Sequence, residues 1–382
     1  MDKIKIIFVN HSLICGGAEQ ALFDLISLLD KEKFESAVFV QNPGGEWDKK
    51  FQEAGIPVIY DYSCRQPTLN PVVKFKNIVK KIRTYLAYKN DGAGLLDVCL
   101  PYQPDVVVSY NVWVNEEMVF SKGASTVKYI HGDPDTNMDY RKEAINRKAV
   151  LSRFDKVVCV ADVACKAFQR ISGIVDSVEM HYNPLNSQNV RLMAGMAIDL
   201  PCNCPLICAV GRLAPEKGFE RLIIIHKHLL EQGIYHKLVI VGDGPDRDFL
   251  RRLVYATDTQ DTVILAGYQI NPYPYMKNSR FLVNSSFTEG LPVIAMEALC
   301  LGVPIVTPIP SVAEIFGQEN CGLITENNNA SLEAGIKRML VDEAFYKQIK
   351  EGAVRRSTFF DGKRMVKEVE DMFIKLAAET KE

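Results

Sequence analysis

Short apolar segments with the character of buried β-strands alternate with helical or loop segments along this chain of 382 residues. A parallel pair of strands needs a crossover between them, which is usually a helix, so such alternation is typical of α/β proteins. In the first half of the chain, the predicted strands are 3–9, 36–41, 56–60, 104–109, 126–131 and 156–160. The pattern predicts a first sheet whose strands are parallel.

A second series of strands follows a break around Tyr182–Asn186. The chain is 47% hydrophobic and 24% charged, and it is long enough to form two domains with sizeable cores. We therefore expect a first domain over residues 1–184 and a second over residues 185–361. The second domain has predicted strands at 205–210, 236–241, 262–266, 280–284 and 304–306 and predicted helices at 217–232 and 245–256.

Two carboxylates, Glu289 and Glu297, lie on either side of a predicted helix start. Pro292 marks that start because proline fits the first turn of a helix, and Gly302 is a suitable end. Glu297 then lies in the second turn among apolar residues, where an unsatisfied charge costs several kcal/mol. It should face protein N–H groups or the hydroxyls of a ligand such as a sugar. The alternative is that backbone groups cap Glu297 and that Glu289 is an ordinary loop acid.

Two cations, Arg212 and Lys217, follow the predicted strand 205–210 in the glycine-bearing loop GRLAPEKG. They lie beyond the carboxyl end of the strand, where open α/β sheets bind ligands. Arginine supplies a planar fork of donors and lysine a compact charge, so together they could neutralise a diphosphate without a metal. The N–H groups at the helix start near Pro292 favour the same anion. Taken singly, each cation would be a solvated surface group.

The order of these motifs resembles the donor domain of glycosyltransferase family four. It runs from GRLAPEKG (211–218) through VGDGP (241–245) to EGLP (289–292), followed by Glu297-Ala298 and GVP (302–304). The resemblance covers most of the second half closely and the first half more loosely. It implies the GT-B fold, in which two Rossmann-like, doubly wound parallel-sheet α/β domains face a central cleft. It also implies that a C-terminal helix, at about 362–382, returns to the first domain.

The activity that this resemblance implies is transfer of a sugar from a nucleoside diphosphate sugar, with a UDP-sugar as the first choice, to an acceptor hydroxyl. The anomeric configuration would be retained, and no metal or other cofactor is expected. The acceptor would be a glycan or a lipid-linked glycan, as in the assembly of bacterial cell-surface polysaccharides. The implied donor contacts are Arg212 and Lys217 to the diphosphate, backbone N–H groups of Gly290 and Leu291, Glu289 to the sugar, Glu297 to the ribose, and Tyr268 near the base.

The first half contributes a double-glycine loop and a histidine. Gly16 and Gly17 follow the first strand in a tight turn that lets backbone approach a ligand. A dinucleotide enzyme is poorly supported because the loop lacks G-x-G-x-x-G. The resemblance places this loop near donor and acceptor, and it implies that His131 has a catalytic contact with the donor sugar. Without the family resemblance, Gly16-Gly17 would be a mere turn and His131 an ordinary loop histidine.

An acid pair, Asp133-x-Asp135, follows His131 and is similar to the metal-binding pair of the other large transferase class. That class has a single Rossmann-like domain, whereas this chain has two predicted sheets and a phosphate site elsewhere. We therefore expect no metal at this pair.

Composition narrows the class of protein further. The net charge of −2 gives no general preference for nucleic acid. The ten cysteines are scattered and often lie in apolar runs, which indicates core packing and a reducing compartment. Cys202, Cys204 and Cys208 lie close together but lack a convincing fourth ligand, so no zinc site is expected. No apolar run approaches the roughly 20 residues that cross a membrane. We expect a cytoplasmic protein or one bound peripherally to the inner face of a membrane.

The segment Lys74–Lys89 has the pattern of a basic amphipathic helix. Its apolar residues are Phe75, Ile78, Val79, Ile82 and Leu86, and its basic residues include Lys76, Lys80, Lys81 and Arg83. Such a helix can bind an anionic membrane surface, but its apolar face can also simply pack on the domain. Both interpretations stay open.

Two other functions use the same motifs. A nucleotide-sugar epimerase or hydrolase would need the same phosphate cations, but it would pass the sugar to water or to no acceptor. A noncatalytic nucleotide-sugar-binding protein would bind the donor and release no nucleoside diphosphate.

Overall fold

The computed structural model describes residues 2–14, 16–60, 71–89, 94–112, 116–198, 200 and 204–379, and Cys202 lies outside these ranges. The chain forms two compact units. The first spans Met1–Pro184 together with Lys363–Glu382, and the second spans Leu185–Gly362. No helix within the described ranges is both long enough and apolar enough to span a membrane.

In the described part of the first unit, seven strands form one parallel sheet: β1 (Ile4–Asn10), β2 (Phe34–Val40), β3 (Val58–Tyr60), β4 (Val106–Asn111), β5 (Ser125–Ile130), β6 (Lys156–Cys159) and β7 (Val178–Met180). Their order is β3-β2-β1-β4-β5-β6-β7. The accompanying helices are α1 (Gly17–Leu28), α2 (Asp48–Glu53), α3 (Pro71–Lys89), α4 (Leu95–Cys99), α5 (Met138–Asn146), α6 (Lys148–Leu151), α7 (Asp162–Ser172) and the C-terminal α16 (Gly362–Glu379).

The C-terminal helix α16 packs on the first sheet. The ring centroid of Phe373 lies 6.1 Å from that of Phe8 in β1 and 6.4 Å from that of Phe34 in β2, and both contacts are edge to face. The backbone N–H of Asp30 donates to Glu370 at 2.7 Å. Because helices cover the sheet, β1 and β4 are almost continuous apolar runs.

The described residues of the second unit form a six-stranded parallel sheet: β8 (Leu206–Val210), β9 (Lys237–Val241), β10 (Val263–Gly267), β11 (Phe281–Val283), β12 (Ile305–Thr307) and β13 (Gly322–Ile324). Their order is β10-β9-β8-β11-β12-β13. The helices are α8 (Ser187–Met193), α9 (Phe219–Glu231), α10 (Arg247–Ala256), α11 (Tyr273–Lys277), α12 (Val293–Cys300), α13 (Val312–Phe316), α14 (Asn329–Val341) and α15 (Glu343–Arg356).

Both sheets have the Rossmann strand order, with the first strand inside the sheet and later strands added on both sides. The order reverses between β1 and β4 in the first sheet and between β8 and β11 in the second. Ligands of open α/β sheets bind at the carboxyl ends of the strands beside such a reversal. The loops after β8 and β11 therefore have the right position for a ligand site within the second unit.

The predicted strands agree with the observed ones to within two residues at each end. The sequence pattern missed β7 and β13, which are short edge strands without a fully buried residue and so lack a clear apolar run. The predicted helix 217–232 begins later than expected: Pro215–Lys217 form a 3₁₀ turn, and α9 starts at Phe219. Pro292 directly precedes α12, which starts at Val293.

The helix predicted at Lys74–Lys89 is α3, and its apolar face is not packed on the domain where the structure describes its side chains. Ile78, Val79, Ile82 and Leu86 are 36–55% exposed. The helix instead buries Thr84 and Ala87. The side chains of residues 71–77, 80 and 88, including Phe75, lie outside the description.

A buried histidine pair joins α9 to the start of β9. His236 donates from Nδ1 to the carbonyl oxygen of Ile234 at 2.8 Å, so its Nε2 accepts from Nδ1 of His226, also at 2.8 Å. When His226 is neutral, its Nε2 accepts from the hydroxyl of Thr262 at 2.9 Å, and this hydroxyl also lies 3.2 Å from the carbonyl oxygen of Thr259. These contacts can be made with both rings neutral. Burial lowers the pKa of His226 from 6.5 to about 3, helped by His236, and burial also lowers the pKa of His236.

Folding stability should therefore fall as the pH falls from about 6.5 toward 3. Over this interval the unfolded chain binds protons at these two histidines and the folded chain does not. For His226 alone, the loss between pH 7 and pH 5 is about 2 kcal/mol. We expect His226→Gln to remove about that much of the pH dependence in urea unfolding. His228→Gln, at an exposed position of the same helix, is the control, and equal slopes for both variants would contradict the prediction.

Candidate functional site

The loops after β8 and β11 meet at the carboxyl edge of the second sheet. Lys217, seven residues after β8, and Glu289, six residues after β11, form an ion pair with a distance of 2.5 Å from Nζ to Oε1. The same oxygen of Glu289 accepts from Ser286 Oγ at 2.8 Å. The side chain of Lys217 is 26% exposed and that of Glu289 is 17% exposed. The pair is therefore enclosed but still accessible to a ligand.

Backbone contacts hold the two loops against each other. Gly218 has a φ of 63°, and a Cβ there would lie 2.2 Å from the carbonyl oxygen of Ser285. Glycine is thus required both by the left-handed conformation and by the close approach. Ser285 Oγ donates to the carbonyl oxygen of Lys217 at 2.9 Å, and Phe287 N–H donates to that of Glu216 at 2.9 Å.

Arg212 lies in the same loop as Lys217 and is more open to solvent, with 56% of its side chain exposed. Its Nη2 donates to Glu216 at 2.7 Å. Burial alone would raise the pKa of Glu216, but the hydrogen bond from Arg212, a backbone hydrogen bond and the charges of Arg212 and Lys217 together hold that pKa below its usual range. Glu216 therefore stays ionised and fixes one side of the guanidinium fork.

Glu297 lies in the second turn of α12 and is buried, as its apolar neighbours predict. Its Oε1 accepts from the hydroxyl of Tyr273 in α11 at 2.9 Å. A side chain thus supplies one donor to this carboxylate. Tyr273 itself is buried and was not predicted, because a tyrosine in NPYPYM has no distinguishing pattern.

Gly290 and Leu291 form the approach to α12 and are both buried. Ser311 Oγ donates to the carbonyl oxygen of Gly290, which orients this peptide. Gly302 follows α12 with a φ of 65°, the left-handed conformation that commonly ends a helix.

Tyr268 follows β10 at the same edge of the sheet and is 46% exposed. Two strand spacings separate β10 from β8, which is about 10 Å. Tyr268 therefore belongs to the same edge as Arg212 and Lys217 but lies to one side of them.

In the first unit, Gly16 and Gly17 lead into α1. Glu19, in the first turn, is buried and accepts from Asn10 Nδ2 at 3.4 Å and from Asn111 Nδ2 at 3.2 Å. These asparagines end β1 and β4, the strands at the reversal of the first sheet. A Cβ on Gly16 would lie 2.6 Å from Glu19 Oε2, so Gly16 makes room for this carboxylate.

His131 follows β5 directly, as predicted. Its Nε2 lies 2.9 Å from the carbonyl oxygen of Tyr110 and must carry the proton, because a carbonyl only accepts. Burial, assisted by the charge of Lys128, lowers the pKa of His131 from 6.5 to about 4. At neutral pH, His131 is therefore an uncharged ring whose Nδ1 is a hydrogen-bond acceptor.

The acid pair after His131 has protein partners. Asp133 Oδ1 accepts from the backbone N–H of Asp135 at 2.9 Å, and the carboxylate of Asp135 pairs with Arg170 at 2.5 Å. Among the described residues, no group of three or more His, Cys, Asp or Glu side chains is arranged to hold a metal ion.

The motifs around Lys217 and Glu289 also fall within a known family model. Residues 199–356 match the model of glycosyl transferases group 1, a stretch that includes Arg212, Tyr268 and Glu297. This part of the chain belongs to the group 1 glycosyltransferases. This confirms the family that the order of the sequence motifs predicts.

Two curated relatives align with this glycosyltransferase over most of their length. One, from Campylobacter jejuni, is N-acetylgalactosamine-N,N'-diacetylbacillosaminyl-diphospho-undecaprenol 4-alpha-N-acetylgalactosaminyltransferase. It is 28% identical over 368 residues, which cover 94% of this chain and 96% of the relative. The lipopolysaccharide core biosynthesis glycosyltransferase LpsD of Rhizobium meliloti is 24% identical over 341 residues, which cover 88% of each chain.

Solved structures show the fold of this glycosyltransferase. The crystal structure of Anabaena HepE in complex with UDP and glucose has a TM-score of 0.72 and 18% identity, and the match covers 97% of this chain and 99% of that one. Sucrose-phosphate synthase from Thermosynechococcus elongatus has a TM-score of 0.75 and 16% identity, over 99% and 100% of the two chains. The predicted fold class, GT-B with two Rossmann-like parallel-sheet domains, is confirmed.

Proposed function

We propose that this glycosyltransferase moves a sugar from a nucleoside diphosphate sugar to a hydroxyl of a glycan or lipid-linked acceptor, with retention of the anomeric configuration and without a metal. The Lys217–Glu289 pair at the strand-order reversal of the second sheet carries this proposal. It combines a cation for a phosphate with an acid for hydroxyls at the edge where such sheets bind ligands.

In the proposed mechanism, Arg212 and Lys217 neutralise the charge that grows on the departing diphosphate. Such preorganised contacts act mainly on the transition state. The backbone N–H groups of Gly290 and Leu291, at the start of α12, add donors to the same anion. These contacts are why we expect transfer without a metal.

Glu289 and Glu297 have separate roles in this proposal. Glu289 accepts hydrogen bonds from hydroxyls of the donor sugar, and Glu297 accepts them from the ribose. The hydroxyl of Tyr273 already orients Glu297. Tyr268, further along the same edge, is assigned to the base.

The transfer step proceeds on one face of the sugar. The acceptor oxygen forms its bond to the anomeric carbon as the bond from that carbon to the phosphate oxygen breaks, and the acceptor proton passes to the departing phosphate. The products are a glycoside and a nucleoside diphosphate. Lys217 and Ser286 both occupy Oε1 of Glu289, which favours hydroxyl binding by this acid over attack on the anomeric carbon.

His131 is assigned a contact with a hydroxyl of the donor sugar, following the family resemblance. Its neutral ring leaves Nδ1 as an acceptor at physiological pH. Gly16 and Gly17 are assigned to the backbone that approaches the donor.

The relatives guide the choice of substrates to test. The Campylobacter relative is named for N-acetylgalactosamine transfer to a diphospho-undecaprenol-linked sugar, and HepE was crystallised with UDP-glucose. We therefore propose a UDP-sugar donor and a role in cell-surface polysaccharide assembly.

A panel of nucleotide sugars in thermal-shift and release assays tests this function. We expect one UDP-sugar to stabilise the protein. With a glycan or lipid-linked acceptor, and with a metal chelator present, the same donor should yield UDP and a glycoside of unchanged anomeric configuration. Free sugar or an epimerised donor would indicate the hydrolase or epimerase function instead. Binding without any release of UDP would indicate a noncatalytic binding protein.

We also propose that α3 contacts the cytoplasmic face of a membrane, where a lipid-linked acceptor would lie. Ile82 and Leu86 are more than half exposed, and Lys81 and Arg83 beside them are exposed as well. The apolar side chains would insert into the membrane interface, and each cation would contribute on the order of 1 kcal/mol to membrane binding through its attraction to anionic lipid headgroups.

Vesicle sedimentation tests the membrane contact. We expect salt-sensitive binding to vesicles that contain phosphatidylglycerol and about a tenfold or greater loss for Ile82→Glu/Leu86→Glu, since each buried side chain contributes roughly 1.5–3 kcal/mol. Ile270→Glu, which changes an exposed isoleucine of the second unit, is the control. Absence of salt-sensitive binding by the wild type would rule out the contact.

A further inference from the structure

Arg221, the third residue of α9, is buried with 4% exposure, and its guanidinium binds the loop that follows β11. Nε and Nη2 both donate to the carbonyl oxygen of Ser285, at 2.8 and 2.6 Å. Nη2 also donates to the carbonyl oxygen of Ser286 at 2.8 Å. The guanidinium carbon lies 4.1 Å from the ring centroid of Phe287. One side chain thus holds three successive residues.

The same three residues connect to both members of the ion pair. Ser285 Oγ binds the carbonyl oxygen of Lys217, and Ser286 Oγ binds the carboxylate of Glu289. Asn327 links Arg221 to the loop a second time. It accepts from Arg221 Nη1 at 2.9 Å and donates to the carbonyl oxygen of Phe287 at 2.7 Å. Any shift of residues 285–287 would therefore move Lys217 and Glu289 relative to each other.

The partners of Arg221 within the described residues are carbonyl oxygens, an amide oxygen and an aromatic ring. A buried cation without a carboxylate is costly, so it is a poor choice for stability alone. A guanidinium does offer one geometric advantage: its planar fork can bind two neighbouring carbonyl groups at once, which a lysine ammonium cannot do with the same rigidity.

We propose that Arg221 is a positioning residue for sugar transfer, which sets the loop 285–287 so that Lys217 and Glu289 hold the diphosphate and the sugar in the reactive arrangement. This inference rests on the proposed function and adds to it a residue outside the motifs that mark the family resemblance. Arg221 itself contacts neither phosphate nor sugar in this account.

Arg221→Met should lower kcat by about 10–100-fold, because displacements on the order of 1 Å in an active site cost this much. The dissociation constant of UDP should change far less than kcat, since Tyr273 of α11 orients Glu297 and Tyr268 follows β10. Arg221→Lys should recover little of the loss because it lacks the fork. It also serves as the second variant if the methionine variant folds poorly.

Arg280→Met is the matched control. Arg280 is also an enclosed arginine of the second unit that binds a backbone carbonyl, that of Met339 at 3.1 Å, and stacks on Tyr346. It lies before β11 at the opposite end of that strand from residues 285–287. Its replacement should lower the unfolding temperature without lowering kcat.

A double-mutant cycle separates positioning from general stability. If Arg221 acts through Lys217, the loss in Arg221→Met/Lys217→Ala should be smaller than the product of the two single losses. Hydrogen exchange supplies a readout that needs no turnover. The amide of Phe287, bonded to Glu216, should exchange faster in Arg221→Met, while amides of β8 and β9 should exchange as in the wild type.

The outcomes distinguish this inference from the proposed function. Wild-type kcat and unchanged exchange in Arg221→Met would overturn the positioning role while leaving the transferase function intact. A loss of activity in Arg221→Met/Lys217→Ala equal to the product of the two single losses would overturn the positioning role as well. Lack of transfer by the wild type would overturn the proposed function and the catalytic part of this inference, and hydrogen exchange would still decide whether Arg221 orders the loop.

Discussion

Replacing Lys217 by alanine is expected to lower single-turnover transfer by about 100-fold or more, the size of effect seen when a preorganised charge contact to a reacting group is removed. The ammonium group is enclosed beside Glu289, where a charge interaction is screened less than at the surface. Its loss would remove the cation that balances the departing diphosphate, and it would also leave the carboxylate of Glu289 without its partner.

Arg212→Ala should show the same kind of loss but a smaller one, because its side chain is 56% exposed and already paired with Glu216. Lys227→Ala is the control for charge, since Lys227 lies on α9 and pairs with Glu231 along the helix. Single-turnover rates with saturating donor separate the chemical step from binding. Wild-type rates in both the Lys217 and Arg212 variants would show that the diphosphate site has been assigned wrongly.

Glu297→Ala is expected to weaken UDP binding by about 10–100-fold, since a hydrogen bond to a charged group contributes roughly 1.5–3 kcal/mol. The carboxylate is buried and Tyr273 fixes one of its oxygens, so it is preorganised to accept from the ribose hydroxyls. Tyr273→Phe should cost less, because it loosens this carboxylate without removing it. Isothermal titration with UDP gives the affinities.

A dideoxynucleotide makes this second prediction specific. The wild type should bind UDP more tightly than 2′,3′-dideoxy-UDP, and Glu297→Ala should bind the two nearly equally. If the preference for the ribose hydroxyls survived unchanged in Glu297→Ala, the carboxylate would not be their partner.

The fold follows from the sequence because buried parallel strands leave a strong signal. Runs such as Leu206–Val210 are apolar at nearly every position, so most strands of both sheets were predictable to within two residues at each end. The signal weakens where a short strand is partly exposed, as for β13, or where a glycine precedes a helix, as Gly218 does before α9.

The candidate site was only partly predictable. The spacing of Lys217 and Glu289 within their motifs marked them as site residues, but no local pattern shows that two side chains 72 positions apart form an ion pair. Tyr273 and Arg221 were missed for the same reason: their roles depend on contacts with residues distant in the sequence. Arg221 did leave one signal, a cation directly before the apolar run 222–225 of α9.

The central claim is that Arg212 and Lys217 hold the diphosphate while Glu289 and Glu297 hold the sugar and the ribose. A crystal structure of the protein with its UDP-sugar tests this most directly. We expect diphosphate oxygens within about 3 Å of both cationic groups, and hydroxyls of the sugar and ribose at similar distances from the two carboxylates. A well-ordered UDP-sugar bound away from these four side chains would contradict the account.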